Sequence, residues 1–231
     1  VTATNATSAD EESTDLSMIE NSTDEENDPM DMVVLNSPAG KLLGVFLTCC
    51  PNLNTKNSLF EPGSVQRRMR DAIEGVDGRS ALIARHRMLE NVHYFLRADK
   101  DWTEAYLIRP LNNNDAESLA LWRAIAIHPR FKNTLDVIGY SMLHRASDTR
   151  LPRTTRNSLM FSLVVEALNA LRFNRDPAVP FADIQQLIRK VEDEARASAA
   201  SILTKFVGDV SSVNEENLSV ESLFENAVSP F

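Results

Sequence analysis

Three side chains in the segment HRMLENVH, residues 86–93, have the types and the spacing of metal ligands. His86, Glu90 and His93 lie four and three residues apart, so on one continuous helix they would share a face. Glu90 and His93 also form a Glu-x-x-His element, which a di-iron helical bundle needs twice. The chain holds no second copy of this element. We therefore expect no bound metal and no other cofactor, and a metal-dependent helical enzyme is the second alternative function.

Other catalytic patterns are absent from the sequence. It contains no G-x-S-x-G, no glycine-rich phosphate loop and no H-E-x-x-H. The adjacent Cys49 and Cys50 are predicted to be small apolar side chains at a helix end, because neighbouring cysteines rarely meet the geometry of a disulfide. The glycines of residues 74–80 predict a turn between helices rather than an anion site. We predict that this chain is not itself an enzyme.

Arginine outnumbers lysine by 18 to 6 and is concentrated in three runs. The guanidinium group suits phosphate and carboxylate, so these runs could follow a nucleic-acid backbone if they shared a surface. The charge is modest, with 24 bases and 18 acids in residues 33–207, and aromatic residues for base stacking are not interleaved. Nucleic-acid binding is therefore the first alternative, ranked below protein binding. The arginines concerned are Arg67, Arg68, Arg70, Arg85, Arg87, Arg150, Arg153 and Arg156.

The elements that must position these residues are helices. Glycines number only 7 and aromatic residues 6%, and no segment alternates with the period of a strand. Apolar spacing and turn residues predict an all-α chain of about eight helices. For example, one helix has Pro38 in its first turn with Ser37 or Asn36 as its cap, and another starts at Asn114. Residues 180–207 predict one long final helix that ends at Gly208. Helices joined by short turns suit an irregular bundle or stacked helical hairpins like a HEAT solenoid.

The two ends of the chain differ from its body. Residues 1–32 carry ten acids and no base and predict a disordered acidic arm, whereas residues 33–207 predict the helical domain. Residues 208–231 are an acidic tail with a short apolar segment, which either docks on a helical groove or forms the first turn of a further helix. The docking residues are Leu218, Val220, Leu223 and Phe224.

The expected location is the cytoplasm. No apolar run approaches the roughly 20 residues that span a bilayer. The first thirty residues have no features of a signal peptide. Two cysteines that are not expected to bridge suit a reducing compartment. We expect no association with a membrane.

Two segments resemble a known family. LNSPAGKLLGVFL, residues 35–47, and DWTEAYLIRPLNNNDAESLALWRAIAIHPRF, residues 101–131, are similar in order and spacing to the helical region that follows the sirtuin-like domain of prokaryotic antiphage defence proteins. The likeness extends over about residues 33–175. It implies a sensing, scaffolding or assembly region of a protein that consumes nicotinamide dinucleotide elsewhere. The nucleotide-binding and catalytic residues of that family have no counterpart here.

Protein binding is the function that these observations predict. The chain would be a helical interaction, scaffold or sensing module of a larger prokaryotic defence protein. Its partner would be an adjacent domain, another copy of the chain or an external protein. Any activity that consumes nicotinamide dinucleotide would lie in a domain outside this segment.

Overall fold

A computed structural model describes residues 36–53 and 60–213 of the 231-residue chain. The described residues form ten helices and no strand. The fifth helix is continuous but contains a π-helical stretch, so its three parts are given together. The helices are α1 (Pro38–Cys49), α2 (Val65–Glu74), α3 (Gly78–Glu90), α4 (Val92–Ala98), α5 (Lys100–Thr103, Glu104–Ile108 and Arg109–Leu111), α6 (Ala116–Ala126), α7 (Lys132–Arg145), α8 (Arg153–Arg172), α9 (Phe181–Lys190) and α10 (Asp193–Val213).

The all-α prediction is confirmed, and the number of helices differs from about eight because two predicted helices are interrupted. Asn91 separates α3 from α4, with its N–H bonded to Met88 O in a tight turn. Val191 is extended (ψ 165°) and separates α9 from α10. The apolar period runs through both breaks, so the sequence pattern alone does not reveal them. Gly208 was expected to end the last helix, but it lies within α10.

The helices begin at residues whose side chains can cap them, although one cap is one residue away from the predicted position. Ser37 caps α1 as expected, because its Oγ accepts a hydrogen bond from Gly40 N at 2.9 Å. The cap of α6 is Asp115 rather than Asn114, and its carboxylate accepts from Ser118 N at 2.8 Å. Both residues could cap a helix, and the chain uses the one nearer the first turn.

The described helices form two compact units, one ending at Ile127 and the other starting at His128. In the first unit α3 is the central helix, and α1, α2, α4, α5 and α6 all pack against it. Its Ile83, Met88 and Leu89 are fully buried, as are Leu121 and Trp122 of α6. The sequence predicted a helical domain over residues 33–207 without this division.

In the second unit α8 is the central helix, and it packs against α7, α9 and α10. Half of its 20 residues are buried, including Leu159, Met160 and Leu163. The sequence predicted a helix covered on several sides, because its apolar residues leave almost no polar face. That expectation is confirmed.

A buried carboxylate of α8 organises the loop that leads to α9. Glu166 Oε1 accepts a hydrogen bond from Arg175 Nη1 at 2.5 Å, and Oε2 accepts one from Ala178 N at 3.0 Å. Asn174 adopts a left-handed conformation (φ 46°), which turns the chain at the end of α8. The charge of Glu166 is thus matched by a cation and a backbone donor, as burial requires.

The same loop lies very close to α7. A Cβ built on Gly139 would stand 2.6 Å from Cγ2 of Val179, which is itself fully buried. The absence of a side chain at position 139 therefore permits this packing.

No helix in the described parts of the chain is both long and apolar enough to span a bilayer.

We expect Gly139→Ala to lower the free energy of unfolding by about 1–3 kcal/mol, because the added Cβ would stand 2.6 Å from the buried side chain of Val179. Gly44→Ala in α1 is the matched control, since a Cβ there would meet nothing within 4 Å. The control should leave stability unchanged or raise it by about 0.5–1 kcal/mol. Urea unfolding followed by circular dichroism measures both variants. Equal effects of the two substitutions would contradict the close packing of Val179 on Gly139.

Candidate functional site

The three candidate metal ligands are placed in different environments. His86 is fully buried in α3, whereas His93 is exposed on α4, beyond the interruption at Asn91. Glu90 is buried at the end of α3, with Oε1 3.6 Å from Nδ1 of His86. The break in the helix thus removes the regular spacing on which the metal hypothesis depended.

The charge of Glu90 is met by a cation of the same helix. Arg87 Nη1 forms an ion pair with Glu90 Oε2 one helical turn away. Within residues 36–53 and 60–213, no three His, Cys, Asp or Glu side chains are grouped so that they could hold a metal ion. The arrangement resembles a structural His–Glu–Arg contact at the end of a helix rather than a ligand set.

Six of the eight candidate nucleic-acid-binding arginines have carboxylate partners within their own unit. The other two are Arg68 and Arg153. Arg68 is exposed and has no carboxylate partner among the described residues, whereas Arg153 lies at the start of α8. Paired arginines offer less net charge to a phosphate backbone. The six pairs are Arg67–Asp71, Arg70–Asp99, Arg85–Glu117, Arg87–Glu90, Arg150–Asp148 and Arg156–Glu192.

Arg70 is a core residue, with a side chain only 1% exposed. Its guanidinium carbon lies 4.5 Å from the ring centre of Phe60 and 4.5 Å from that of Trp102, so two aromatic rings sandwich the cation. Nη1 donates to Asp99 Oδ2 at 2.7 Å. Such cation–π contacts stabilise by about 2 kcal/mol when desolvated. Arg70 therefore cannot serve a phosphate while this core is intact.

The sandwich extends into a longer stack. The ring of Trp102 stacks on that of Tyr106, with centres 5.1 Å apart, and the guanidinium of Arg85 lies 5.2 Å from the Tyr106 ring. We call the series Phe60, Arg70, Trp102, Tyr106 and Arg85 the cation–aromatic ladder. It joins α2, α3 and α5 through cation–aromatic contacts and one pair of stacked aromatic rings.

Polar groups at the edges hold the rings of the ladder. Trp102 Nε1 donates to Glu74 at 2.8 Å, and the Tyr106 hydroxyl lies within 3.4 Å of Ile73 O. Burial raises the pKa of Tyr106 to about 12, although the nearby Arg85 acts in the opposite direction. The phenol therefore stays protonated and remains a hydrogen-bond donor over the physiological range.

The π-helical stretch Glu104–Ile108 lies at the centre of the ladder. Arg109 N bonds to Glu104 O, five residues back, in place of the usual four. Pro110 explains this widening, because a proline lacks an N–H and its ring clashes with the carbonyl four residues earlier, here that of Tyr106. The turn that carries Tyr106 is therefore shaped by Pro110.

The ladder is the part of the site that sequence reasoning missed. Arg70 was grouped with its neighbours as a surface cation, because three arginines in QRRMRD suggest a basic face. One signal was available: Trp102 and Tyr106 lie four residues apart and so share a helical face. The partners Phe60 and Asp99 are distant in sequence, and no local pattern connects them to position 70.

In the second unit, Asp148 joins two of the arginines. Its Oδ2 lies 2.8 Å from Arg145 Nη1 and 2.8 Å from Arg150 Nη2. Hydrogen bonds from Arg150, and to a lesser extent from Arg145, lower the pKa of Asp148 to about 2 in spite of partial burial. Farther along, Arg156 donates through Nη1 and Nη2 to Glu192 Oε1, at 3.2 and 3.1 Å.

An exposed apolar stripe runs along α1. Leu42 is 43% and Val45 56% exposed, and the exposed Cys49 continues the same face at the spacing of three and four residues. The buried face of α1, which borders this stripe, is anchored by Phe46, whose ring contacts Phe60 at 6.4 Å and Phe95 at 6.3 Å. We call Leu42, Val45 and Cys49 the α1 stripe.

The neighbouring cysteine is not part of the stripe. Cys50 is half-buried, and burial raises the pKa of its thiol to about 11, although a hydrogen bond with Tyr94 lowers it in part. The Tyr94 hydroxyl donates its hydrogen to Pro51 O at 2.7 Å, which fixes the ring beside the end of α1. The predicted docking segment of the tail (Leu218, Val220, Leu223 and Phe224) and the acidic arm, residues 1–32, lie outside the described residues.

Comparison with protein-family models, with curated proteins and with solved structures finds no match to this chain. The class that the structure defines is an all-helical protein with two compact units.

We expect Asp148→Asn to destabilise the protein by up to about 1 kcal/mol near neutral pH. Because the folded-state pKa is below the unfolded value, this stabilisation is present above about pH 4 and is lost as the pH falls towards 2. Urea unfolding at several pH values measures the difference. Asp136→Asn is the control, since its pair with Lys132 is solvent-exposed. If the difference in unfolding free energy between wild type and Asp148→Asn does not decrease as the pH falls, the lowered pKa of Asp148 is contradicted.

The two thiols should react at very different rates with a disulfide reagent at pH 8. Cys49 is exposed, whereas a thiol with a pKa of about 11 is about 100-fold less ionised than an ordinary one and is also half-buried. Cys49→Ser should remove the fast phase and Cys50→Ser the slow one, as followed by absorbance. Two equal rates in the wild type would show that Cys50 is not protected.

Proposed function

We propose that this chain is a helical protein-binding module of a larger protein. The observation that carries the proposal is the α1 stripe. Leu42 and Val45 expose about half of their side chains on a helix whose other face is fixed in the core by Phe46. Apolar side chains in line on a rigid helix are typical of helix-in-groove recognition.

The alternatives receive less support from the charged groups. Six of the eight candidate arginines are matched by carboxylates, which reduces the field available to nucleic acid. His86, Glu90 and His93 lack a shared face, which weakens the hypothesis of a metal-dependent enzyme. Neither alternative has an observation in its favour comparable to the α1 stripe.

The parent protein that we propose is a cytoplasmic prokaryotic defence protein with a sirtuin-like domain. The support is the resemblance of residues 35–47 and 101–131, which include the cap and buried face of α1 and the π-helical part of α5. Any consumption of nicotinamide dinucleotide would belong to that other domain. The choice between an irregular bundle and HEAT-like stacked hairpins stays a prediction.

The sequence of the whole gene product tests the parentage. The proposal expects a sirtuin-like domain encoded in frame before residue 33. A gene product that lacks such a domain would overturn the defence-protein part, and protein binding through the α1 stripe would then stand on its own test.

The reactivity of Cys49 tests protein binding directly. Because this thiol lies in the α1 stripe, a bound protein or domain should shield it. We expect the thiol to react at least tenfold more slowly in the whole gene product or its complex than in the 231-residue chain. Leu42→Asp with Val45→Asp should restore fast labelling, and the control Thr48→Ala, on an exposed polar position of α1, should not. Equal labelling in both contexts would refute the proposal.

A further inference from the structure

The break between α9 and α10 contains no helix-breaking residue. Residues 189–194 read RKVEDE, without proline or glycine, and lysine and glutamate are good helix formers. Val191 N still bonds to Leu187 O at 3.1 Å and Arg196 N to Glu192 O at 3.0 Å, which is the helical pattern on either side of the break. The extended backbone of Val191 (ψ 165°) interrupts this pattern. The bend therefore depends on side-chain contacts.

Two arginines make those contacts. Arg156 of α8 donates through Nη1 and Nη2 to Glu192 Oε1, at 3.2 and 3.1 Å, but its buried Nε has no hydrogen-bond partner among the described residues. Arg196 of α10 pairs with Asp193 and lies 3.4 Å from Arg189 O in the last turn of α9. The carboxylates of Glu192 and Asp193 are 54% and 88% exposed, so each pair contributes little to stability.

The bend is also loosely packed on α8. A small cavity lies beside it, lined in part by Asn157 and Met160 of α8 and by Val191 and Ala195. Val191 is half-buried. Because a side chain next to a cavity makes fewer contacts than one in a close-packed core, moving Val191 costs little.

A continuous α9–α10 helix would satisfy the same groups in another way. The N–H groups of residues 192–195 would bond to the carbonyls of residues 188–191. Glu192 would precede Arg196 by four positions on one helix, which is the favourable order for an ion pair. The apolar spacing that predicted one long helix over residues 180–207 fits this straight form. The hinge, Val191 and Glu192, is therefore compatible with two conformations.

Straightening the hinge would remove α10 from its own unit. α10 packs against α8 and α9, with Ala195 and Ala199 buried and Ile202, Leu203 and Phe206 half-buried. Exposing these apolar groups to water is unfavourable. The α10 of a second copy carries the same side chains and fits the vacated surface as the chain's own α10 does. Exchange of identical elements restores every lost contact of this kind.

We propose that two copies of the chain exchange α10 and that α9 and α10 form one continuous helix in this dimer. The interaction surface is the part of α8 and α9 that α10 covers, and its partner is α10 of a second copy. α10 is the last of the described helices, so the exchange leaves α7, α8 and α9 in place. The inference goes beyond the proposed function, because it does not involve the α1 stripe. Association costs translational freedom, so the dimer forms as the protein concentration rises.

Asp193→Pro tests the hinge. Proline suits the first position of a helix, as in the bent form, but in a continuous helix its ring would clash with the carbonyl of Arg189. We expect the dissociation constant of the dimer to rise at least about 100-fold. The matched control Asp193→Ala removes the same charge but keeps the N–H, and it should not weaken the dimer. Light scattering after size exclusion, from micromolar to millimolar protein, measures the dimer, and circular dichroism checks that each variant is folded.

Glu192→Ala should have the opposite effect. It removes the ion pair with Arg156 that the bent form makes, and it places the best helix former at the hinge. Because the dimer contains two hinges, we expect its dissociation constant to fall about tenfold.

A disulfide between α8 and α10 distinguishes exchange from any other dimer. Asn157→Cys with Ala195→Cys places one thiol on each helix beside the same cavity, in a chain that also carries Cys49→Ser and Cys50→Ser. After oxidation, a non-reducing gel should show the bond within one chain in the monomer fraction and between two chains in the dimer fraction.

Any of four results would overturn the inference. They are a wild type that stays monomeric up to millimolar concentration, a dimer that Asp193→Pro leaves intact, a dimer that Glu192→Ala does not strengthen, and a dimer whose disulfides form within each chain. The hinge is tested by two variants, so the failure of one to fold leaves the other decisive. The shielding of Cys49 is measured separately, and the proposed function would stand if the exchange of α10 were refuted.

Discussion

The buried guanidinium of Arg70 is the interaction on which the first unit depends. Removing a cation from water costs several kcal/mol, and Nε of Arg70 has no hydrogen-bond partner among the described residues. The cost is offset by Asp99 and by the faces of Phe60 and Trp102. Asp99 also accepts a hydrogen bond from Trp102 N at 3.2 Å, so the carboxylate that neutralises Arg70 also caps α5. Three distant segments are therefore fixed by one cation.

This constraint determines what the surface can offer. Phe60 contacts Phe46 and Trp102 contacts Phe95, so the ladder sets the rotation of α1 through the aromatic core. Phe46 is buried, and Leu42 and Val45 lie on the exposed part of the same helix. The ladder also engages two acids: Glu117 pairs with Arg85, and Glu74 accepts a hydrogen bond from Trp102 Nε1. The core thus leaves Leu42 and Val45 as exposed apolar side chains on α1.

Features that depend on local chemistry were predictable from the sequence. The helical class, the cap at Ser37 and the burial of α8 follow from composition, side-chain hydrogen bonding and apolar spacing, each of which acts within a few residues. The cap at Asp115 was missed by one position, because Asn and Asp serve this role equally well.

Features that depend on tertiary contacts were not predictable. The breaks at Asn91 and Val191 leave the apolar period intact, and Gly208 remains helical although glycine is a weak helix former. The burial of Arg70 and the separation of His86 from His93 depend on packing between distant segments. The sequence therefore suggested metal or nucleic-acid binding for residues that the fold uses in structural contacts. It also did not distinguish the exposed stripe of α1 from the buried face of that helix.

The stability of Arg70→Ala, compared with that of Arg68→Ala, tests this account most directly. The two arginines lie on the same helix, but one is in the ladder and the other is exposed. Both tryptophans, Trp102 and Trp122, lie in the first unit, so urea unfolding followed by tryptophan fluorescence reports on that unit. The account predicts a loss of about 3 kcal/mol or more for Arg70→Ala and less than about 0.5 kcal/mol for Arg68→Ala. Equal small losses would show that Arg70 does not hold the unit together.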